Sequence, residues 1–351
     1  MRIVIKIGSN VLARPNGGLD ITRMSHLVDQ IAELRRRGVE VIMVSSGAVA
    51  AGRALLSTSK QLDSVEQRQL FSALGQAKLI NHYYDLFREY SLHVGQVLTM
   101  KENFATRREY LNQRACMQVM LENGVIPVVN ENDTISVTEL MFTDNDELSG
   151  LVARMTESDM LVILSNVAGI FDGDPAAPGS RVIREIRPDD ADLSVCVTRG
   201  KSQFGRGGML TKCGIARRVA AEGIPVVIAD GKAENILLRL LDDPAGTLCT
   251  RFVPAPKPPR GADAPVRREI VVSDAALAEL RAGRPRSLRS DDVVRCCGEF
   301  FRDELVRVLN ADGAVIGYGK ALCSGAELLS LLENPHAKAR EIVHYDYLFL
   351  D

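Results

Sequence analysis

From residue 1 to about 250, apolar runs of strand length alternate with amphipathic stretches. The apolar runs fall near 2–7, 40–44, 93–98, 125–129, 160–165 and 224–229. Strands alternating with helical patterns predict an α/β fold, a mostly parallel sheet with helices on both faces. Between the strands, Ile21 to Arg37 carries Leu27, Ile31 and Leu34 at helical spacing, and Asp63 to Tyr90 sets Leu70, Leu74, Ala77 and Leu86 on one side. Those stripes are core positions and point to no cofactor.

The pattern changes at Pro254, where five prolines fall within the twelve residues up to Pro265. Such a density makes a semi-rigid extended linker and excludes helix or central strand. Beyond it come short β-rich runs, Ile270-Val271-Val272, Leu305 to Val308 and Val315 to Tyr318, with a turn at Ala311-Asp312-Gly313. They predict a small β-barrel with one or two short helices. The expected division is 1–253, a linker 254–268 and a second domain 269–351.

Composition narrows the class. The 351 residues are 46% hydrophobic and 25% charged, ordinary for a two-domain soluble protein. No run of about 18 apolar residues points to a membrane span, and the N-terminus enters a strand directly, without a signal-peptide core. Seven cysteines without a C-x-x-C pair read as reduced thiols of a cytoplasmic protein, not a disulfide framework or zinc site. The formal net charge of −2 gives no general reason to bind nucleic acid or an anionic membrane. Residues 269–351 hold 10 basic and 14 acidic side chains, a balance that disfavours phosphate-backbone binding there.

The chemistry-bearing segments sit where strands end. In Gly205-Arg206-Gly207-Gly208-Met209-Leu210-Thr211-Lys212, glycines expose backbone N–H groups at a helix start and a lysine stands one turn in. That suits a polyphosphate, although a glycine turn into an ordinary helix has the same letters. Lys6 interrupts the first apolar run just before Gly8-Ser9-Asn10, and would face a ligand crevice beyond the strand's carboxyl end, unless it lies on a solvated edge. Ser45-Ser46-Gly47-Ala48 is a third strand-to-glycine junction. Asn130-Glu131-Asn132-Asp133 follows the fourth strand, and Asp144-Asn145-Asp146-Glu147 opens a helix. Any one of these acids or amides could be a cap, but the two clusters exceed what capping needs and suit a zwitterionic or Mg2+-bearing substrate.

In this order and spacing, the Lys6, Ser45, Asn130, Asp144 and Gly205 segments resemble the amino acid kinase superfamily. The resemblance is closest to the branch that phosphorylates the γ-carboxylate of glutamate at the start of proline synthesis. Gly298 to Val308 with Asp312-Gly313 resembles the PUA domain that many bacterial members carry. The resemblance spans essentially the whole chain and implies a three-layer sandwich around the mostly parallel sheet, followed by a small PUA barrel.

It further implies roles. Lys6 and Lys212 would contact the phosphates and the transferred group, with Asp146 holding both ammonium groups. Ser46, Asp133 and Asn145 would bind L-glutamate, supported by Asn130 and Asp144. ATP would lie near Gly8, Ser165-Asn166 and Arg206, Gly207, Gly208, Met209, Leu210, Thr211 and Lys212, bringing Mg2+ with it and needing no protein metal cage. Ser165-Asn166 stands where the family carries Thr-Asp, Arg206 where it carries threonine, and Thr143 where it carries glycine. The resemblance also implies a homo-oligomer, dimer or tetramer, and functional coupling to glutamyl phosphate reductase. The same fold serves acetylglutamate, aspartate, carbamate and uridylate, and PUA-like barrels elsewhere bind RNA. The Asn130–Asp133 run argues against the first group and the acidic second domain against nucleic acid.

Overall fold

The computed structural model describes residues 1–14, 17–56, 62–104, 107–135, 144–174, 177, 179–188, 190, 208–256, 268–281, 286–302, 304–334 and 338–350. The chain divides into two compact units, Met1–Met100 with Arg114–Lys257, and Lys101–Gln113 with Pro258–Asp351.

The first unit begins β1 (Arg2–Ile7), α1 (Ser9–Leu12), α2 (Ile21–Arg36), β2 (Glu40–Ser45), α3 (Ala48–Arg53), α4 (Ser64–Arg88) and β3 (Val94–Thr99). It continues with α5 (Arg107–Glu122), of which only the part from Arg114 on belongs to this unit, β4 (Ile126–Glu131), α6 (Asn145–Met155), β5 (Met160–Ser165), β6 (Glu185–Ile186), α7 (Met209–Ala221), β7 (Val226–Asp230), α8 (Ile236–Asp242) and β8 (Cys249–Phe252). The sheet order is β3-β4-β2-β1-β5-β7-β8-β6. Its neighbours run parallel except β7 and β8, which are antiparallel. The six expected strands are present within one or two residues; β6, β8 and the helices α1, α5 and α8 are additions.

β1 is central, so both its faces must be apolar. Ile3, Ile5 and Ile7 project into a core built with Leu27, Ile31 and Leu34 of α2, Leu79, Tyr83 and Phe87 of α4, and Ile236, Leu237 and Leu240 of α8. Residues of the other parity, Val4 and Lys6, face the opposite side, where α6 packs on the strand. Helices therefore cover both faces, and a lysine is buried on one of them.

Caps fix the helix starts. Asp20 accepts from the backbone of Arg23, and Asp63 with Glu66 forms a reciprocal capping box for α4. Along α4 the buried face is Phe71, Ser72, Gly75, Gln76, Leu79, Tyr83 and Phe87. This corrects the stripe read from sequence: Leu74 and Ala77 are exposed. Two glycines cause the shift. A Cβ on Gly52 would stand 1.9 Å from the Phe71 carbonyl oxygen and one on Gly75 1.8 Å from that of Ala48. α3 and α4 thus meet backbone to backbone, which turns the small and polar positions of α4 inward.

The second unit contains β9 (Glu269–Val272), α9 (Asp274–Arg281), β10 (Leu288–Arg289), β11 (Val293–Cys297), β12 (Leu305–Leu309), β13 (Val315–Ala321), α10 (Gly325–Leu332) and β14 (Glu341–Leu350). Its six strands run β10-β14-β13-β12-β9-β11, antiparallel except for β9 against β12. Ile270, Val272, Leu288, Phe300, Val306, Val308, Leu328 and Ile342 fill a core of its own. Most of the proline-rich stretch, residues 257–267, lies outside the described residues. No helix among the described residues is long and apolar enough to cross a membrane.

Candidate active site

The carboxyl ends of β1, β2, β4 and β5, four strands contiguous in the sheet, lie at one edge and carry Lys6, Ser45-Ser46, Asn130-Glu131 and Ser165 respectively. Ligands of open α/β sheets bind outside such an edge. The N-termini of α6 and α7 supply the rest.

At the start of α6 three consecutive residues take three directions, as a helical turn of about 100° per residue requires. Asp144, in extended conformation, caps the helix by accepting from the N–H groups of Asp146 and Glu147 at 2.9 and 3.1 Å. Asn145 donates from Nδ2 to Ser46 Oγ at 2.9 Å and to Asn130 Oδ1 at 2.9 Å. Asp146 is fully buried, with Lys6 Nζ 2.6 Å from Oδ1 and Lys212 Nζ 2.8 Å from Oδ2. One carboxylate thus holds two ammonium groups that come from opposite ends of the unit's sequence.

Electrostatics sets the two acids apart. Burial would push Asp146 up, but the two lysines outweigh it and hold its carboxyl down at about 2. Asp144 lies beside it, and burial first, then the charge of Asp146, push it up to about 6 against the pull of Lys6 and Lys212. Among the described residues, Asp144 Oδ2 has no hydrogen-bond partner, nor has Asn145 Oδ1.

Lys212 stands in the first turn of α7, whose cap is Gly208. Met209 and Thr211 are half-buried there, and Leu210 is exposed. Gly205, Arg206, Gly207 and Thr143 lie outside the described residues. Gly8 donates to the Leu164 carbonyl at 3.2 Å, and a Cβ there would stand 3.2 Å from that oxygen and 3.6 Å from Lys6 Nζ. The missing side chain keeps the approach to the ammonium open. Ser165 is buried, its carbonyl accepting from Gly231 at 2.8 Å, while Asn166 is exposed. Asp133 faces Arg68 of α4 at 3.9 Å.

α4 contributes what the sequence reading missed. Gln69 Nε2 donates to the Thr134 carbonyl at 3.1 Å, and Gln76 Oε1 accepts from Asn130 Nδ2 at 2.8 Å. Tyr83 and Ser45 share a hydrogen bond of 2.8 Å, and burial pushes the Tyr83 phenol well above its usual range. The signal was the run Ser72, Gly75, Gln76, Leu79 and Tyr83, which lies at helical spacing on a single face.

Residues 1–230 match the amino acid kinase family and residues 268–345 the PUA domain. The chain belongs to the amino acid kinase family. It is 55% identical to the glutamate 5-kinase of Bacteroides thetaiotaomicron, over 100% of this chain and 98% of that protein. It is 42% identical to the glutamate 5-kinase of Chlorobaculum tepidum, over 99% and 97%, and 38% identical to that of Dehalococcoides mccartyi, over 91% and 87%.

Proposed function

We infer that this chain transfers the γ-phosphoryl group of ATP to the γ-carboxylate of L-glutamate, giving ADP and L-glutamyl 5-phosphate, the first step of proline synthesis. The observation that carries the chemistry is the pair of lysines held on the two oxygens of Asp146. The names of the relatives carry the choice of substrate.

Phosphoryl transfer asks for an in-line nucleophile and for neutralisation of charge on the equatorial oxygens. The acceptor carboxylate is ionised at neutral pH, so no general base is needed. Lys6 and Lys212 supply two positive charges already aimed and desolvated, which is the costly part of electrostatic stabilisation. Asp146 keeps them from repelling each other apart before the phosphates arrive. The N-terminal turn of α7 offers unpaired N–H groups to the nucleotide phosphates through Gly208, Met209, Leu210 and Thr211, with Ser165 and Asn166 at the neighbouring strand end. Ser46, Asn145, Asn130, Asp133 and Asp144 form the amino-acid side of the pocket.

Among the described residues no group of three or more His, Cys, Asp or Glu converges on a metal position. A Mg2+ ion would be carried by the phosphates, keep its waters and neutralise charge on the nucleotide. The unpartnered Oδ2 of Asp144 is the acceptor that would meet one of those waters. Glutamyl phosphate is a labile acyl phosphate, so an enzyme that consumes it at once, glutamyl phosphate reductase, is the expected functional partner. The kinase chemistry belongs to residues 1–253, joined through 254–268 to the PUA-like residues 269–351.

The test is ADP release with Mg-ATP against glutamate, acetylglutamate, aspartate, carbamate and UMP. Stimulation by glutamate alone is expected; no stimulation by glutamate overturns the reading.

A further inference from the structure

A chain of amides runs from the middle of α4 to the first turn of α6, and one backbone group fixes which way each amide points. The Glu131 N–H, which can only donate, is 2.9 Å from Asn130 Oδ1. Asn130 therefore presents its oxygen on that side, where Asn145 Nδ2 also donates at 2.9 Å. Its Nδ2 turns the other way and donates to Gln76 Oε1 at 2.8 Å. Two ends of the network are then left over. Among the described residues, Gln76 Nε2 is a buried donor without a partner, and Asn145 Oδ1 is a buried acceptor without one. Gln76 as a whole is only 9% exposed.

Buried amide groups are rarely left unmade, and a donor and an acceptor orphaned on a single network ask for a ligand carrying both signs. The reacting end of the substrate belongs at the lysine pair beside Asp146, so the Gln76 end of the network, two amides further on, belongs to the non-reacting end. We propose that Gln76 is a substrate-recognition residue: its Nε2 donates to the α-carboxylate of the amino acid, while Asn145 Oδ1 accepts from the α-ammonium. This rests on the reading that the acceptor is glutamate. Gln76 would thereby favour a free α-carboxylate, whose two charged oxygens both accept, over an α-amide, which keeps one neutral acceptor oxygen and sets an N–H beside it.

Steady-state kinetics with glutamate and with glutamate α-amide, on Gln76→Met and Gln76→Glu, decides the matter. Gln76→Met removes the donor and is expected to raise KM for glutamate about tenfold to a hundredfold, the worth of a hydrogen bond to a charged group. Its kcat and its KM for ATP should stay within about threefold, since the contact exists before as well as during transfer. Gln76→Glu keeps the oxygen that Asn130 uses and replaces only the free N–H with an acceptor, so it should reverse the preference toward the α-amide. Unreversed preference in Gln76→Glu overturns the proposal, as does an equal loss of kcat with both substrates, the mark of mere support for Asn130. Failure of both variants to fold, read by thermal melting, would assign Gln76 to the core and overturn it too. Absence of glutamate-stimulated ADP release in the unaltered protein is a different result, since it removes the kinase reading itself.

Discussion

Lys212 reaches the oxygen of Asp146 that Lys6 leaves, at 2.8 Å on Oδ2 against 2.6 Å on Oδ1. Neither lysine is placed by its own segment alone. β1 aims Lys6 at the α6 face, α7 brings Lys212 to the same point, and the carboxylate between them sets the spacing of the two charges.

Replacing Lys212 with alanine should therefore lower kcat by about 100-fold or more with little loss of fold, the cost of one charged group aimed at a transition state. Wild-type turnover in a coupled ADP assay would remove Lys212 from the chemistry.

Asp146→Ala removes the carboxylate that both ammonium groups share, one of them buried, and leaves them only the more distant pull of Asp144. Breaking a buried pair in this way costs about 3–5 kcal/mol. Urea unfolding should show that loss, and Lys6→Met in the same background should recover part of it. A variant as stable as the parent would mean the pair is relaxed by solvent.

The two acids give opposite pH dependences. Asp144, raised to about 6 by burial and by Asp146, binds its proton more tightly folded than unfolded, so its contribution to stability falls as pH rises from about 4 to about 6. Asp146, held at about 2, contributes stability that is full above the ordinary carboxylate range and is lost as pH falls from about 4 toward 2. Asp144→Asn keeps the cap and removes the first titration. The stability of the parent minus that of the variant should drop by on the order of 2 kcal/mol between about pH 4 and 6.5, then stay level. A flat difference across that range would place Asp144 in contact with water.

Glycines at two helix positions should respond with opposite signs. Gly75→Ala drives a methyl to 1.8 Å from the Ala48 carbonyl oxygen, and should destabilise by about 3 kcal/mol as the helices are forced apart. A Cβ on Gly214, in α7, meets nothing within 4 Å, so Gly214→Ala should stabilise by about 0.5–1 kcal/mol. Chemical denaturation of the two variants beside the parent provides the comparison; a neutral Gly75→Ala would contradict the close helix crossing.

Much of this architecture is legible before folding, and the parts that are not have identifiable causes. β1, β2, β4 and β5 declare themselves as continuous apolar runs because they are covered on both faces. β8, Cys-Thr-Arg-Phe, is short and half polar, and nothing local marks it as the strand that turns antiparallel against β7. The inward face of α4 escapes a count of aliphatic residues because glycine contact selects Phe71, Gly75 and Gln76 over Leu74, which remains 38% exposed. Lys6, Asp146 and Lys212 stand out as charges at strand and helix ends. Gln76 does not, since a helical glutamine is ordinary until its neighbours show that one of its two polar atoms has nowhere to go.

The first turn of α6 keeps its neighbours' duties apart. Asn145 belongs to the amide network and Asp146 to the lysines, and the two point in directions about 100° apart on a rigid element. If Asn145 binds the acceptor as proposed, a substitution there would change which acceptor is recognised while the charge arrangement at 146 stays as it was. On the proposed roles, selectivity and catalytic power would be separately heritable, one residue apart, and a drift toward a new acceptor would begin at 145 without first sacrificing phosphoryl transfer.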